Sequence, residues 1–459
     1  MAEYHVENFG CRASRADGEI ISAELRHRGL SPAPSLAQAD VIVANTCSVT
    51  AQADRTARAF LRRARRQNPT ARILVTGCYA QRAPQEVAAL PGVHAVIGNS
   101  HKNLVPEIAC QAAGFVSLSA LQPAGLYVPG VYVDDTFAHA DLAMPQGGWQ
   151  AQGSAAVQTR PNLKVQDGCG NRCSFCVIPA TRGHSRSMSL EACLLNVQAF
   201  AAAGGTELVL SGINLGRWGR DLKPERTLEE LVSAILSHTA LPRLRLSSIE
   251  PMDWTPQLLA LFRSHSATAS VRLARHAHLP LQSGSDAILR AMHRRYSPWH
   301  YAEKLRLIRE TMPDAAIGAD VMVGFPGENE ALFEESFAFI AAQPFTYLHL
   351  FPFSARPGTR AWQLAQEFPA TTGAVALRTA RLRELIAARN RLFRESFLGR
   401  ELAVVTLHTP QGARTQAITR ALADNFLEVR LDARVPANQS LRVRVTGLTD
   451  AGLTGSVTA

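Results

Sequence analysis

The stretch that decides the fold is QDGCGNRCSFCVIP (166–179), which places Cys169, Cys173 and Cys176 within eight residues. We call these three residues the loop trio. A short apolar run, LKVQ (163–166), comes directly before them and is typical of a buried strand. Three thiols so close together favour a single metal centre. A tetrahedral zinc ion and a cubane iron–sulfur cluster both need four ligands, however, and no fourth cysteine lies nearby.

A structural zinc site and an iron–sulfur cluster differ in the ligands that they need in addition to these three cysteines. Structural zinc sites usually combine two short ligand pairs, and the nearest candidate for a fourth zinc ligand is His184, eight residues after the last cysteine. A cubane held by three cysteines leaves one iron open for a ligand from outside the chain. The spacing therefore favours an iron–sulfur cluster with an external ligand, while structural zinc is the alternative.

Strand candidates continue after the loop trio and alternate with helices or loops. Six such βα units fall short of a closed eight-fold barrel, so the pattern predicts a partial (β/α)6 barrel with its chemistry on the loops beyond the strands' C-terminal ends. The strand candidates are LKVQ (163–166), ELVLS (207–211), LRLSS (244–248), HAHLPLQ (276–282), AIGADVMVGF (316–325) and YLHLF (347–351).

The N-terminal segment shows the same alternation, with helical stretches at 17–28 and 53–67 between its strand candidates. This spacing predicts βαβ units and a parallel sheet, which makes the fold class α/β. The three strand candidates are EYHVENFG (3–10), DVIVANT (40–46) and RILVTG (72–77).

A cysteine follows each of these three strands, in NFGC, ANTC and VTGC. We call Cys11, Cys47 and Cys78 the strand-end trio. Because the carboxyl ends of parallel strands share one edge of a sheet, we expect the three thiols to converge there. The sequence thus predicts a second metal centre, whose ligands lie far apart in the sequence and are brought together by the fold of the sheet.

The rest of the chain suggests further parts. Residues 120–160 are rich in Gly, Pro, Ala and Gln and indicate a linker. After an Arg-rich helix at 376–400, about 60 residues of short alternating strands predict a small all-β barrel. The expected division is an N-terminal cluster domain (1–118), a linker (119–158), a barrel (159–396) and a C-terminal β-barrel (397–459).

The charge and composition of the chain favour particular binding partners and a particular cellular compartment. A formal charge of +10 and a pI near 9.5 favour polyanions such as nucleic acid. Residues 55–66 hold six arginines and no acid, and 376–400 holds seven arginines against two glutamates, so both helices are candidates for phosphate contacts or simply for solvated basic faces. With no signal-like N-terminus and no long apolar run, we expect a cytoplasmic protein without membrane contact and with reduced cysteines.

The loop trio resembles the C-x3-C-x2-C signature of the radical S-adenosylmethionine (SAM) superfamily. In that superfamily the open iron binds SAM, so the resemblance makes SAM the missing ligand. Phe175 matches a position near the adenine, and AGGTELVLSG (203–212) resembles the glycine-rich segment at the end of the second strand. The resemblance implies SAM contacts by Gly204, Gly205, Thr206 and Glu207, and by Ser248, Glu250 and Gln282 at later strand ends.

The two trios together resemble the radical SAM methylthiotransferases, which have two 4Fe-4S clusters and a C-terminal TRAM-like, RNA-binding β-barrel. The resemblance implies that SAM cleavage gives a 5′-deoxyadenosyl radical, which takes hydrogen from C2 of a modified adenosine before a methylthio group is inserted. It also implies the anticodon stem-loop of tRNA and a reductant protein such as a flavodoxin or ferredoxin as partners. Cys110 and Cys193 match no position of the family, and we expect them to be small core residues.

Local sequence around the cysteines favours one substrate type. The runs at 45–64, 75–81 and 246–251 most resemble methylthiotransferases acting on threonylcarbamoyladenosine, 3′ to the anticodon. Isopentenyladenosine in tRNA and an aspartate of a ribosomal protein are the alternatives within the family, and a non-catalytic, zinc-containing RNA-binding protein is the alternative outside it. Ser14 departs from the family's usual Asn, which affects the expected hydrogen bonding around the strand-end trio.

Overall fold

The structure is a computed structural model that describes residues 2–111, 130–138, 159–266, 271–408, 419–450 and 452–458. The chain forms two compact units. Unit 1 comprises Met1–Gly147, Gln166–Ser187 and Ser354–Trp362, and unit 2 comprises Gly148–Val165, Met188–Phe353 and Gln363–Ala459. Unit 1 therefore contains both cysteine trios, although they lie far apart in the sequence.

Unit 1 is an α/β sheet domain completed by two later segments of the chain. Its elements in chain order are β1 (Glu3–Asn8), α1 (Arg12–His27), β2 (Ser31–Pro32), β3 (Val41–Thr46), α2 (Ala51–Gln67), β4 (Arg72–Gly77), α3 (Cys78–Arg82), α4 (Pro84–Ala88), β5 (Val93–Ile97), α5 (Val105–Cys110) and β6 (Val131–Tyr132). The later elements are β7 (Asn162–Asp167), which begins in unit 2 and ends in unit 1, α6 (Ile178–Arg182) and β8 (Arg186–Ser187).

The first sheet has the strand order β2-β1-β3-β4-β5-β6, and its strands pair in parallel. All six residues of β3 are buried because helices cover both faces of the sheet, as expected for parallel strands. One face packs Ile42 and Val75 with Phe60 of α2, and the other packs Val43 with Leu25 of α1. This arrangement confirms the predicted parallel α/β domain.

Unit 2 continues the alternation of strands and helices and ends in a separate small barrel. Its elements are α7 (Leu190–Ala202), β9 (Glu207–Gly212), α8 (Leu228–His238), β10 (Arg243–Leu246), α9 (Pro256–Ser266), β11 (His276–His278), α10 (Asp286–Ala291), α11 (Pro298–Thr311), β12 (Ala316–Val323), α12 (Glu330–Ala342), β13 (Tyr347–Pro352), α13 (Arg360–Glu367, whose first turn belongs to unit 1), α14 (Thr372–Glu395), β14 (Glu401–Thr406), β15 (Thr419–Ala423), β16 (Glu428–Leu431), β17 (Ser440–Leu448) and β18 (Leu453–Val457).

The six predicted βα strands form two neighbouring sheets. One contains β10, β9 and β7, and the other has the parallel order β11-β12-β13. A single parallel bridge between Leu244 and Leu273 links β10 to the segment before β11. The strands therefore make an incomplete barrel, as predicted from six units.

The C-terminal residues form a closed five-stranded barrel in the order β14-β15-β16-β18-β17, as the sequence predicts. One part of the expected linker is wrong. Residues 119–129 and 139–158 lie outside the described residues, but 130–138 contains β6, the sixth strand of the first sheet. Among the described residues, no helix has both the length and the apolar composition needed to cross a membrane.

Candidate metal centres and their surroundings

The loop trio lies on a loop between β7 and α6. Backbone hydrogen bonds hold this loop: Cys169 N donates to Gly183 O at 3.1 Å, and Cys176 N donates to Cys173 O at 3.2 Å. The backbone N–H of Asn171 points at Cys169 Sγ, 3.4 Å away. All three cysteines are partly exposed, so their thiols are accessible to a cluster and to an external ligand.

The strand-end trio is brought together by the register of the first sheet. Thr46 pairs with Gly77, so Cys47 and Cys78 follow neighbouring positions of β3 and β4. Gly10, which precedes Cys11, has φ +97°, and a Cβ there would lie 2.6 Å from Cys47 Sγ. Only glycine permits this approach, because an L side chain would both clash and adopt an unfavourable backbone conformation. Cys47 and Cys78 are buried, whereas Cys11 is exposed.

The electrostatics of the strand-end trio suit a bound cation cluster. Burial raises the pKa of the Cys47 thiol to about 12, and the neighbouring Cys78 and Cys11 add to the effect. Three thiolates this close repel each other, so the protein alone disfavours their ionisation. Coordination by a metal removes this penalty because the ligands are then thiolates bound to positive charge. The strand-end trio is therefore suited to a cluster held by three cysteines.

Arg182 connects the surroundings of the two trios. It is 1% exposed, and its guanidinium donates to both oxygens of Asp167, at 2.9 and 3.0 Å, just before the loop trio. It also lies 3.0 Å from Asp17 of α1, the helix that begins after Cys11. Burial opposes the charged form, yet Asp167, Cys78 and Asp17 raise the pKa of Arg182 well above its ordinary value. A permanent positive charge thus lies beside the strand-end trio.

Further hydrogen bonds support this arrangement. Lys102 donates to Asp17 at 2.6 Å, and Asn99 donates both to Cys78 Sγ at 3.5 Å and to Thr181 O at 2.8 Å. Ser14 is buried, with its Oγ 3.8 Å from Cys11 Sγ and 3.4 Å from Arg182. The hydroxyl at this position therefore takes part in the hydrogen bonding around the trio in the absence of the family's usual Asn.

A second charge cluster is formed by residues that follow Cys47 and Cys78 in the chain. Asp54 of α2 accepts hydrogen bonds from Arg82 at 2.9 Å and Arg356 at 2.5 Å, and both arginines also donate to Ser48 at 2.7 Å. Ser48 follows Cys47 directly, and Arg82 ends the helix that begins at Cys78. The segment 354–362 is thereby fixed to the residues that follow two of the three cysteines.

Four residues predicted to contact SAM lie at the wrong end of a strand. We expected Gly204, Gly205, Thr206 and Glu207 at the C-terminal end of the second barrel strand, but β9 begins at Glu207. Burial opposes ionisation of Glu207, yet Arg245 and Arg160 lower its pKa to about 2, and its carboxylate lies 2.7 Å from Arg245. Glu207 therefore joins neighbouring strands at the end of the barrel opposite to the one that carries the chemistry.

The other predicted SAM residues occupy strand ends as expected. Ser248 and Glu250 follow β10, where Ser248 contacts His278 at 2.8 Å and Glu250 pairs with Arg294. Gln282 has φ +69° and is 7% exposed, and its Oε1 has no hydrogen-bond partner among the described residues. Such a buried acceptor suits a ligand with a hydrogen-bond donor. Phe175 is half-buried within the loop trio.

The remaining cysteines and His184 have ordinary surroundings. Cys193 is fully buried in α7, as expected for a small core residue, and burial raises its pKa. Cys110 ends α5 but is exposed, so its assignment to the core is wrong. The ring of His184, the candidate zinc ligand, packs edge-to-face on Phe137 at 4.6 Å.

The two Arg-rich helices differ in how their arginines are used. On α2, five arginines are exposed: Arg55, Arg62, Arg63, Arg65 and Arg66. On and just after α14, six of seven arginines bind groups of the same chain: Arg378, Arg381, Arg389, Arg391, Arg394 and Arg400. The prediction of a basic phosphate-binding face therefore suits α2 better than α14.

Sequence reasoning missed Arg182, Asp17 and Asn99. Arg182 and Asp17 are separated by 165 residues, and no motif in the single sequence connects them. The sequence signal nearest to them is the dipeptide Gly-Cys at Gly10 and Gly77, where the structure has a positive φ; it indicates closely packed strand ends and does not identify these three residues.

Two family models match the chain. Residues 3–98 match the family described as Uncharacterized protein family UPF0004, and residues 163–340 match the Radical SAM superfamily. Among solved structures, the radical S-adenosylmethionine methyltransferase TsrM from Kitasatospora setae is similar with a TM-score of 0.54 and 14% identity, covering 80% of this chain and 75% of that chain. This likeness supports the fold.

Curated relatives match over most of their length. A protein of Aquifex aeolicus (strain VF5), named threonylcarbamoyladenosine tRNA methylthiotransferase MtaB, is 32% identical over 96% of this chain and 99% of its own. A protein of Trichlorobacter lovleyi, named tRNA-2-methylthio-N(6)-dimethylallyladenosine synthase, is also 32% identical, over 86% of each chain. Sequence identity therefore does not separate the two substrate types.

Proposed function

The chain belongs to the radical SAM methylthiotransferase family, and from this premise we propose that it attaches a methylthio group to C2 of N6-threonylcarbamoyladenosine in tRNA, 3′ to the anticodon. The observation that carries the proposal is that unit 1 contains two cysteine trios, with Arg182 hydrogen-bonded beside both. Several relatives named for threonylcarbamoyladenosine support the choice of substrate.

The two trios have separate tasks in this proposal. Cys169, Cys173 and Cys176 would hold the 4Fe-4S cluster at which SAM binds, and the strand-end trio would hold the auxiliary 4Fe-4S cluster. When bound, the first cluster supplies the electron that cleaves SAM, and the second carries sulfur. The protein's own contribution is position, charge and exclusion of water.

The residues around the trios carry out that contribution. Arg182 fixes α1, with Cys11 at its start, against Asp167, which precedes the loop trio. Its positive charge stabilises thiolates at the strand ends, which the protein otherwise disfavours. Burial of Cys47 and Cys78 keeps water from that side of the cluster. Phe175, Ser248, Glu250 and Gln282 are the SAM-contacting residues that we propose.

The exposed arginines of α2 and the C-terminal β-barrel are the tRNA-contacting parts of the proposal. Arginine side chains neutralise phosphates without recognising sequence, and small β-barrels commonly bind RNA. We further propose that a flavodoxin or ferredoxin delivers the electron in the cytoplasm. The assignment of the C-terminal barrel (397–459) as a TRAM-like, RNA-binding domain is also part of the proposal.

The function is tested by mass spectrometry of tRNA nucleosides from a strain that lacks the gene. We expect 2-methylthio-N6-threonylcarbamoyladenosine to disappear and to return when the gene is restored. Loss of the dimethylallyl counterpart instead would assign the chain to the substrate of the Trichlorobacter lovleyi relative.

Anaerobic reconstitution should give a brown protein with about eight irons, two clusters of four. A colourless zinc protein would end the enzyme assignment.

A further inference from the structure

One face of the sheet β11-β12-β13 is unusually polar for the inside of a domain. Parallel register places His278, Gly318 and Tyr347 in one row and Asp320 beside His349 in the next. We call His276, His278, Asp320, Tyr347 and His349 the polar strand face. The opposite face is apolar, and Ala277, Ile317 and Ala319 on it are each 0% exposed.

The side chains of the polar strand face are arranged around Asp320. Its Oδ1 lies 3.3 Å from His349 Nδ1 and 3.6 Å from His278 Nε2. Ser248 contacts the other ring nitrogen of His278 at 2.8 Å and so fixes the orientation of that ring. Tyr347 lies across Gly318, where a Cβ would be only 2.0 Å from the ring. A glycine here makes room for the tyrosine.

The face is closed at one end and open at the other. At the closed end, Phe426 from the turn between β15 and β16 stacks on His276 at 4.5 Å, and His276 Nε2 is 2.7 Å from Tyr347 Oη. Exposure rises along the face, from 1% for His276 and 5% for His278 to 57% for the side chain of His349. The end with His349 is therefore the accessible end of the face.

The closed end is anchored by charged residues. Arg245 donates to the carbonyl oxygens of Ala423 and Asp424 at 3.1 and 3.0 Å, and its guanidinium lies 5.5 Å from the ring centre of Phe426. Arg275 pairs with the carboxylate of Asp424 at 2.6 Å. The turn that carries Phe426 is thus held firmly, and the face ends in a rigid wall.

We propose that the polar strand face binds the threonylcarbamoyl group on N6 of the adenosine, with Asp320 accepting from its N–H or hydroxyl groups and the histidines contacting its oxygen atoms. This inference rests on the proposed function and names the residues that recognise its substrate. A threonylcarbamoyl group carries an N–H, a carbonyl, a hydroxyl and a carboxylate, which match a face of mixed donors and acceptors.

The same chemistry explains how a dimethylallyl group would be rejected. That group is apolar and offers no hydrogen bonds, so its entry would cover the partly exposed side chains of Asp320 and His349 without forming hydrogen bonds to them. Sites built to form hydrogen bonds discriminate strongly against analogues that lack the polar group, because buried partners are left unpaired. The polar strand face therefore favours threonylcarbamoyladenosine over dimethylallyladenosine, two substrates that sequence identity does not distinguish.

The test measures binding of anticodon stem-loops to the anaerobically reconstituted protein. The stem-loops carry threonylcarbamoyladenosine, dimethylallyladenosine or unmodified adenosine at the target position. We expect His349→Phe to weaken binding of the threonylcarbamoyl stem-loop by about tenfold, as for the loss of one or two hydrogen bonds, and to leave the unmodified stem-loop within about twofold. The matched control is His238→Phe at the exposed end of α8.

A second variant, Asp320→Asn, covers the case in which His349→Phe does not fold, because it keeps the shape of the side chain and removes its charge. We expect Asp320→Asn also to reduce the preference for the threonylcarbamoyl stem-loop over the unmodified stem-loop. If the wild-type protein modifies threonylcarbamoyladenosine but both variants keep its full preference, the inference is wrong and the proposed function stands. If the wild-type protein modifies only dimethylallyladenosine, the proposed function fails first and the inference with it.

A divalent cation is the competing occupant of the same face. The ligating atoms of His278, Asp320 and His349 lie within 4.8 Å of one another, a spacing that suits a metal with an open position. Elemental analysis of the reconstituted protein decides between them. We expect no zinc beyond background. About one zinc per chain that is lost in His349→Phe would overturn the substrate-binding role and identify a metal site.

Discussion

The two cysteine trios show two ways of building a three-thiol site. The loop trio occupies eight residues of one partly exposed loop, and backbone hydrogen bonds within unit 1 hold it. The strand-end trio combines the ends of three parallel strands, and two of its thiols are buried. The loop trio thus depends on local spacing, whereas the strand-end trio exists only when the sheet is folded. Substitutions should therefore affect the two sites differently.

The largest effect is expected from Cys173→Ala in the loop trio. Without this ligand the cluster that binds SAM is lost, so both SAM cleavage and methylthiolation should stop. The measurements are 5′-deoxyadenosine formation, the methylthio product and iron content, which should fall by about four irons. Cys110→Ala, at an exposed cysteine outside both trios, is the matched control and should behave as wild type. Continued SAM cleavage by Cys173→Ala would contradict the role of the loop trio.

Cys47→Ala in the strand-end trio should remove only one of these activities. The loop trio remains complete, so SAM cleavage should continue while the methylthio product disappears. Iron content should again fall by about four, and the electron paramagnetic resonance spectrum of the reduced protein should retain a single cluster signal. Undiminished methylthiolation would show that the strand-end trio is not the auxiliary site. Loss of SAM cleavage as well would show that the two sites are not separable.

The contrast between the trios also explains what could be predicted from sequence. The loop trio is visible from spacing alone, and the strand-end trio from the fact that each cysteine follows a parallel strand. Gly204 to Glu207 were misplaced because glycines at either end of a strand look alike in sequence: the predicted strand ELVLS (207–211) does form β9, but the glycines come before it and not after it. Residues 130–138 look like a linker because β6 has only two residues.

Contacts between distant segments were beyond prediction. Arg182 looks like one arginine in a loop, yet it is buried between Asp17 and Asp167. The seven arginines at 376–400 look like a basic face, but most of them bind carboxylates or carbonyl oxygens of the same chain. A single sequence shows which residues carry charge, and only the folded chain shows which charges are already neutralised.

Arg182→Gln tests the connection between the surroundings of the two trios. Removing the guanidinium leaves Asp17 and Asp167 with fewer partners in a buried position, which should cost about 3–5 kcal/mol of unfolding free energy. Urea unfolding of the cluster-free protein measures this change, and Arg182→Lys should restore part of it. Arg172→Gln, on the exposed part of the loop trio, is the control. Equal stability of the Arg182→Gln and Arg172→Gln variants would show that Arg182 does not support either site.

The smallest effect, and the most direct comparison, comes from a pair of glycines. Gly10 has φ +97°, and a Cβ there would lie 2.3 Å from Cys47 Cβ, whereas a Cβ on Gly170 of the loop trio would meet nothing within 4 Å. Gly10→Ala should therefore lower the unfolding free energy by about 1–3 kcal/mol, the usual cost of local backbone strain. It should also reduce the iron bound at the strand-end trio, while Gly170→Ala leaves both quantities unchanged. The two variants are compared by urea unfolding and by iron content after identical reconstitution. If both alanines are tolerated equally, the strand ends do not need the close approach of Gly10 to Cys47, and the strand-end trio would tolerate changes in its backbone as well as the loop trio does.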